Sequence, residues 1–235
     1  LKAGYRAIDT AAIYQNEEAV GEAIKASGIA REELFITTKV WNADQGYDNT
    51  LKAFELSLQK LGLDYVDLYL THWPKPQLVD TYKAIERLYE EKLIRVPGVS
   101  NHHEHHLQQV FAEANVLPMV NQIECHPSLS QDALRAFCAE HNIAVTAWAP
   151  LGTGIVFTHP VVKQLAGKYS KTPAQIVLRW HLEIGNIVIP KSITPERIVE
   201  NLAIFDFTLQ ADEVATISAL NTFHRTGSDP DNFNF

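Results

Sequence analysis

TLKAFELSLQKLGLDYVDLYLTHW, residues 50–73, reads as an amphipathic helix closed by Gly62 and followed at once by a short strand-like run, VDLYLTHW (66–73). A second helical stretch, DTYKAIERLYEEK, follows it. Working outward in both directions, the same alternation recurs. The strand-like runs are YRAIDTA (5–11), LFITTKV (34–40), VDLYLTHW (66–73), LIRVPGVS (93–100), PMVNQIEC (118–125), IAVTAWAP (143–150) and NIVIPKS (186–192). Between them lie EEAVGEAIKASG, LSQDALRAFCAEHN and TPAQIVLRWHLEIG, whose Gly or Asn ends are suited to helix C-terminal caps.

Repeated βα units imply a parallel sheet, and seven of them leave little room for a second domain. The expected fold is therefore α/β, a single (β/α)8 barrel occupying residues 1–235, one strand short of closure. Because LKAGYR at residues 1–6 reads as a helix already under way, strand one and most of helix one are expected to precede residue 1. The polar, turn-rich stretch from about 222 to 235 is expected to form a loop or tail.

Composition narrows the function. The 235 residues are 46% hydrophobic and 20% charged, with a net charge of −8, which disfavours nucleic acid and anionic membrane as partners. Two cysteines, Cys125 and Cys138, are too few for a disulfide framework and suit a reducing compartment. No apolar run approaches a membrane span, so a cytoplasmic protein acting on a small molecule is expected. The histidine-rich NHHEHH, residues 101–106, places His102, His105 and His106 on one helical face. It reads as a solvated helix start, and no metal is expected.

In such barrels the chemistry collects where strands end. These ends carry Asp9 with Tyr14, Lys39 with Trp41, His72 with Trp73, Ser100 with Asn101, Gln122 with Glu124, Trp148, and Lys191 with Ser192. A lysine beside a tyrosine favours the phenolate and should lower the phenol's pKa, while a carboxylate behind the lysine keeps that lysine charged. The tyrosine then serves as an acid, and a histidine can hold a carbonyl oxygen while charge develops on it. Protonating a carbonyl is half of a reduction; the hydride must come from a cofactor.

No glycine-rich dinucleotide fingerprint or phosphate-cradling loop is present. IPKSITPERIVEN (189–201) offers another anion site: Lys191 and Ser192 at the end of the last strand, Thr194 as N-cap, Pro195 in the first turn and Arg197 just after it. Two cations and a hydroxyl suit a phosphomonoester.

With GYRAIDTAAIYQNE, ITTKVWN, DYVDLYLTHWP, GVSN, VNQIECHP, AWAPLGTG and IPKSITPERIVEN in this order, the chain resembles the aldo-keto reductases, most closely the bacterial 2,5-diketogluconate and methylglyoxal reductase branch. The resemblance spans nearly the whole chain. It implies an NADPH-dependent reductase of aldehydes and ketones, monomeric, with a catalytic tetrad of Asp9, Tyr14, Lys39 and His72 and Tyr14 as proton donor. It further implies that Ser100, Asn101 and Gln122 hold the nicotinamide carboxamide and that Trp148 stacks on its ring. Leu151 and Gly152 would meet the pyrophosphate; Lys191, Ser192 and Arg197 the 2′-phosphate; Glu200 and Asn201 the adenosine. Trp41 and Trp73 would line the substrate pocket.

Three features depart from the family pattern. His102 stands where an aromatic is usual, Pro97 interrupts a strand, and HWPKPQLVD is short. Two other functions fit parts of the same residues: an aldolase-like barrel forming a Schiff base on Lys39 while the 191–197 site grips a substrate phosphate, and a nucleotide-binding module with little turnover.

Overall fold

Each of the seven apolar runs forms a strand. In the computed structural model, which describes residues 1–235, they are β1 (Ala7–Asp9), β2 (Phe35–Val40), β3 (Val66–Thr71), β4 (Ile94–Ser100), β5 (Val120–Glu124), β6 (Ala144–Trp148) and β7 (Ile187–Val188). The chain divides into two compact units, residues 1–121 with 234–235, and residues 122–233.

In the first unit β1, β2, β3 and β4 are parallel neighbours in chain order, with Asp9 opposite Thr37, Lys39 opposite Leu70 and Thr71 opposite Val99. The crossovers are α1 (Glu17–Ser27), α2 (Tyr47–Leu61) and α3 (Leu78–Glu90). Every residue of β3 is buried, Asp67 and Thr71 included. Gly28 and Gly62 end α1 and α2 in the left-handed conformation, as their positions predict. Gly21 has a packing role: a β-carbon there would lie 2.2 Å from the Leu61 carbonyl oxygen, so only glycine lets α1 meet the end of α2. After β4 comes α4 (Glu104–Phe111).

Pro97 does not break β4. The strand runs through it, Pro97 lies opposite Tyr69, and its carbonyl accepts from Met119 N at 2.9 Å. Only the donor that proline lacks is missing from the ladder. Near the start of the strands, the fully buried carboxylate of Asp67 accepts from Ile36 N at 2.8 Å and pairs with Arg31 and Arg95, both at 2.8 Å.

The second unit holds the end of β5, then α5 (Asp132–Glu140), β6, α6 (Pro160–Tyr169), α7 (Pro173–Glu183), β7, α8 (Pro195–Leu202) and α9 (Ala211–Ser218). β6 and β7 run parallel, with Thr146 opposite Ile187. Trp180 lies at the heart of this unit's core with Val162, Ile176, Val177, Leu209 and Ile217, and its indole N–H donates to Ser218 Oγ at 3.0 Å. α7 begins with a reciprocal cap: Gln175 N donates to Thr172 Oγ1 at 3.3 Å and Thr172 N to Gln175 Oε1 at 2.9 Å. One boundary differs from expectation. β7 stops at Val188, so Lys191 and Ser192 lie in the loop after it rather than at its end. Pro190, lacking an N–H, cannot extend the ladder. No helix is long and apolar enough to cross a membrane.

Candidate active site

Four side chains that the sequence places at strand ends meet in the first unit. β1 presents Asp9 and the 3-10 turn after it, Ala12–Tyr14, presents Tyr14; β2 carries Lys39, and His72 follows β3 directly. Lys39 is wholly buried. Its ammonium lies 2.5 Å from Asp9 Oδ1 and donates to Thr10 O at 2.9 Å. The Tyr14 ring centroid lies 5.2 Å from Lys39 Nζ and 5.7 Å from the His72 ring, which it meets edge-on. Tyr14 itself is half exposed, the only member of the group open to solvent to that degree.

Burial pushes the Tyr14 pKa up to about 12, and the charge of Asp9 adds to the rise. This reverses the sequence expectation that Lys39 would lower it. The ammonium is engaged by Asp9 and a backbone carbonyl, and burial together with the Asp9 charge outweighs its pull on the phenol. Burial lowers the Lys39 pKa against the opposing pull of Asp9. Burial, helped by the Lys39 charge, takes His72 down to about 3, so the imidazole is neutral across the physiological range. Its Nδ1 is buried without a partner.

Around this group sits an aromatic wall. Trp41 meets the His72 ring at 5.2 Å and stacks on Phe235 at 5.9 Å; Trp73 meets Phe235 edge-on at 5.1 Å. Asn42 Nδ2 and Lys75 Nζ each donate to Phe235 O at 3.2 Å. The sequence pairs Trp41 with Trp73 but gives no sign of Phe235, because a contact across more than 160 residues leaves no local pattern. Behind His72, Asn101 Nδ2 donates to the His72 carbonyl at 2.9 Å and to Ser100 Oγ at 3.3 Å. Asn101 takes the left-handed conformation, φ 63°, which asparagine tolerates. His102 is fully buried; its Nδ1 lies 2.9 Å from Ser100 O and therefore carries the proton. A neutral imidazole thus fills the aromatic position, and its ring meets that of His106 edge-on at 5.8 Å.

In the second unit Gln122 is buried on β5 and Trp148 ends β6. Leu151 and Gly152 follow in a tight turn. A β-carbon on Gly152, φ 49°, would come 2.8 Å from the His126 ring, so a side chain is excluded. Glu124, which the sequence places with Gln122 at a strand end, holds the late chain in place. Its buried carboxylate accepts from Thr226 N and Oγ1, both at 2.6 Å, and from Gly227 N, and lies 3.1 Å from His126 Nε2. Gly227 rests on Trp148 so closely that a β-carbon would lie 2.4 Å from the indole.

Thr194 occupies the N-cap position of α8 with Pro195 next, as expected, but its side chain makes no capping bond; Thr194 N donates to Ser192 Oγ at 3.1 Å instead. Lys191 and Arg197 are exposed and neither forms an ion pair. Asn201 is buried, and Glu200 accepts from Thr172 Oγ1 at 2.6 Å, which ties α8 to the start of α7.

A family model described as the aldo/keto reductase family matches residues 1–222. The glyoxal reductase of Bacillus subtilis is 53% identical over 236 residues, covering 100% of this chain and 86% of the relative. Methylglyoxal reductase DkgA of Yersinia pestis is 54% identical over 238 residues, covering 99% and 85%. Among solved structures, an aldo-keto reductase from a Medee basin deep-sea metagenome superposes with a TM-score of 0.98 at 48% identity, over 100% of this chain and 88% of that one. A Bombyx mori aldo-keto reductase solved in complex with NADP gives a TM-score of 0.93 at 39% identity, over 98% and 83%. The fold class is therefore the parallel (β/α)8 architecture of these enzymes.

Proposed function

Since this chain belongs to the aldo/keto reductase family, we propose that it reduces aldehydes and ketones with NADPH, small dicarbonyls and keto-sugars among them. The observation that carries this reading is the Asp9–Lys39 pair at 2.5 Å with Tyr14 and His72 grouped around it. Similarity to the glyoxal and methylglyoxal reductases supports the substrate class, and the NADP complex of the silkworm enzyme supports the cofactor.

NADPH, when bound, supplies the hydride. The chain's own residues do the rest. Tyr14, protonated at neutral pH because its pKa is held high, is in the form a proton donor requires, and its exposure lets it reach a substrate oxygen. Lys39, charged by its contact with Asp9, stabilises the phenolate that remains after transfer. His72 is neutral. Leaving a lone pair unpartnered at the buried Nδ1 costs less than stranding an N–H there, which puts the proton on Nε2. From that position His72 donates a hydrogen bond to the carbonyl oxygen as it gains charge. Trp41, Trp73 and Phe235 give the substrate an apolar wall.

The chemistry of the remaining residues fits the cofactor. Two exposed, unpaired cations, Lys191 and Arg197, lie with Ser192 about the N-terminus of α8 and suit the 2′-phosphate. Leu151 and Gly152 take the pyrophosphate, Glu200 and Asn201 the adenosine, and Ser100, Asn101, Gln122 and Trp148 the nicotinamide. We take the enzyme as a monomer and as cytoplasmic, the latter in keeping with two buried cysteines that form no disulfide.

Use of Lys39 as a Schiff-base nucleophile is disfavoured by the same contacts: its nitrogen donates to Asp9 and Thr10, so no lone pair is free to attack a carbonyl. The test is oxidation of NADPH in the presence of methylglyoxal and a panel of aldehydes and keto-sugars. Turnover that disappears in Tyr14→Phe supports the reading; NADPH binding with no turnover on any carbonyl returns the chain to a binding module.

A further inference from the structure

Glu124 closes β5, buried, and its carboxylate collects donors from two stretches of the second unit. From the late chain, Thr226 donates to Oε1 through both its N–H and its Oγ1, each at 2.6 Å, and Gly227 N lies 3.2 Å from Oε1 and 3.3 Å from Oε2. Arg225 Nη1 stands 3.7 Å from Oε2. From the turn just after β5, His126 Nε2 lies 3.1 Å from Oε1. Burial pulls the Glu124 pKa upward, but hydrogen bonds from His126 and Thr226 outweigh it and leave the pKa lowered. Glu124 is therefore an ionised group that only accepts, and such bonds are stronger than those between neutral partners.

Residues 221–228 form neither helix nor strand, so individual bonds set where they run. Thr222 N and His224 N both donate to Ser128 O, at 3.2 and 3.0 Å. The bonds to the Glu124 charge come next, where the chain passes Trp148. Gly227 stands between the two: a β-carbon there would lie 2.4 Å from the indole and 3.5 Å from Glu124 Oε2. Only glycine fits, and the carboxylate that binds its N–H keeps it against the indole. The same carboxylate meets His126, whose ring is the surface on which Gly152 rests.

We propose that Glu124 is a positioning residue for the nicotinamide end of the cofactor: it fixes Thr226 and Gly227 against the Trp148 indole and, through His126, supports the turn at Gly152. This rests on the reading of Trp148 as the ring that stacks on nicotinamide and of Gly152 as part of the pyrophosphate turn. Glu124 touches no cofactor atom in this role. It acts by removing freedom beforehand, since an indole already immobilised loses less side-chain entropy when a second ring stacks on it. The whole cofactor should therefore depend on the bonds to Glu124, and its adenosine half should not.

The test compares NADPH with adenosine 2′,5′-bisphosphate, which keeps the adenosine and the 2′-phosphate but has no nicotinamide, by calorimetric titration of the full chain. Thr226→Val removes the Oγ1–H donor and nearly keeps the side chain's shape. It should weaken NADPH about three- to tenfold and leave the bisphosphate within about twofold of the unsubstituted chain. Thr226→Ser, which retains the hydroxyl, should bind NADPH as the unsubstituted chain does. Glu124→Gln turns an amide N–H2 toward a donor in either orientation and should weaken NADPH by about tenfold or more, again sparing the bisphosphate. Should Glu124→Gln not fold, the two Thr226 variants decide alone.

Trp148→Ala checks the underlying reading, because it must weaken NADPH and spare the bisphosphate. If it does so while Thr226→Val binds NADPH undiminished, the positioning role is overturned and the Trp148 assignment stands. If Trp148→Ala itself leaves NADPH binding unchanged, both are overturned. Equal losses for the two ligands in Thr226→Val or Glu124→Gln would mean a general loosening of the chain, and would equally overturn the proposal.

Discussion

Lys39 and Asp9 meet at 2.5 Å, the lysine wholly buried and the aspartate nearly so, with a backbone carbonyl from Thr10 completing the ammonium's contacts. A buried charge of this kind is tolerated only where it is paired. Its place beside a half-exposed phenol gives the pair a chemical use as well as a structural one: it holds a positive charge where a phenolate must form.

Tyr14→Phe keeps the ring packed against His72 and removes only the hydroxyl. We expect NADPH affinity to be unchanged and kcat to fall by about 10²–10⁴-fold, the usual contribution of a positioned proton donor. Steady-state rates with methylglyoxal, alongside fluorescence titration with NADPH, check both. Unaltered kcat would remove Tyr14 from the proton-donor role.

The pH profile follows from the two shifted groups. Proton donation requires protonated Tyr14, lost only toward about 12, and hydrogen bonding requires neutral His72, lost only toward about 3. The kcat/KM for reduction should therefore be flat from about pH 5 to about pH 9. An inflection near the ordinary histidine value would show His72 titrating.

Stability should depend on pH more strongly than activity does. Burial holds His72, His102 and His181 near 3 in the folded chain, against about 6.5 when unfolded. Between those values the unfolded chain binds more protons, so the stability present above about 6.5 is lost as pH falls toward 3. His102→Phe removes one such group and should move acid unfolding, followed by circular dichroism, to lower pH. An unmoved or raised midpoint would contradict the assignment.

Arg197→Ala should weaken NADPH binding by about tenfold or more while leaving NADH nearly unchanged, since one charge-assisted contact to a phosphate is worth about 1.5–3 kcal/mol. Parallel titrations with the two cofactors decide it. Equal losses would show that Arg197 has no part in reading the 2′-phosphate.

Asp67→Ala, far from the chemistry, leaves Arg31 and Ile36 N without their buried partner. A loss of about 3–5 kcal/mol is expected from breaking such a buried pair. Urea denaturation measures it, and a loss below about 1 kcal/mol would mean water replaces the carboxylate.

The sequence by itself determined the seven strands, their order and the residues at their ends, because short strand-like runs alternate with amphipathic helical patterns and a helix that stops at Gly28 or Gly62 announces its end locally. It also supplied Asp9, Tyr14, Lys39 and His72, each set by its distance from a strand. α6 and α9 end at Ser170 and Ala219, with no glycine or asparagine at the cap to announce them. What only the tertiary structure decided are the contacts between distant segments: Phe235 on Trp41 and Trp73, Glu124 on Thr226, and Asp67 between Arg31 and Arg95. The sign of the Tyr14 shift belongs with these. Burial and the net field of neighbouring charges set it, and neither quantity exists until the chain has folded.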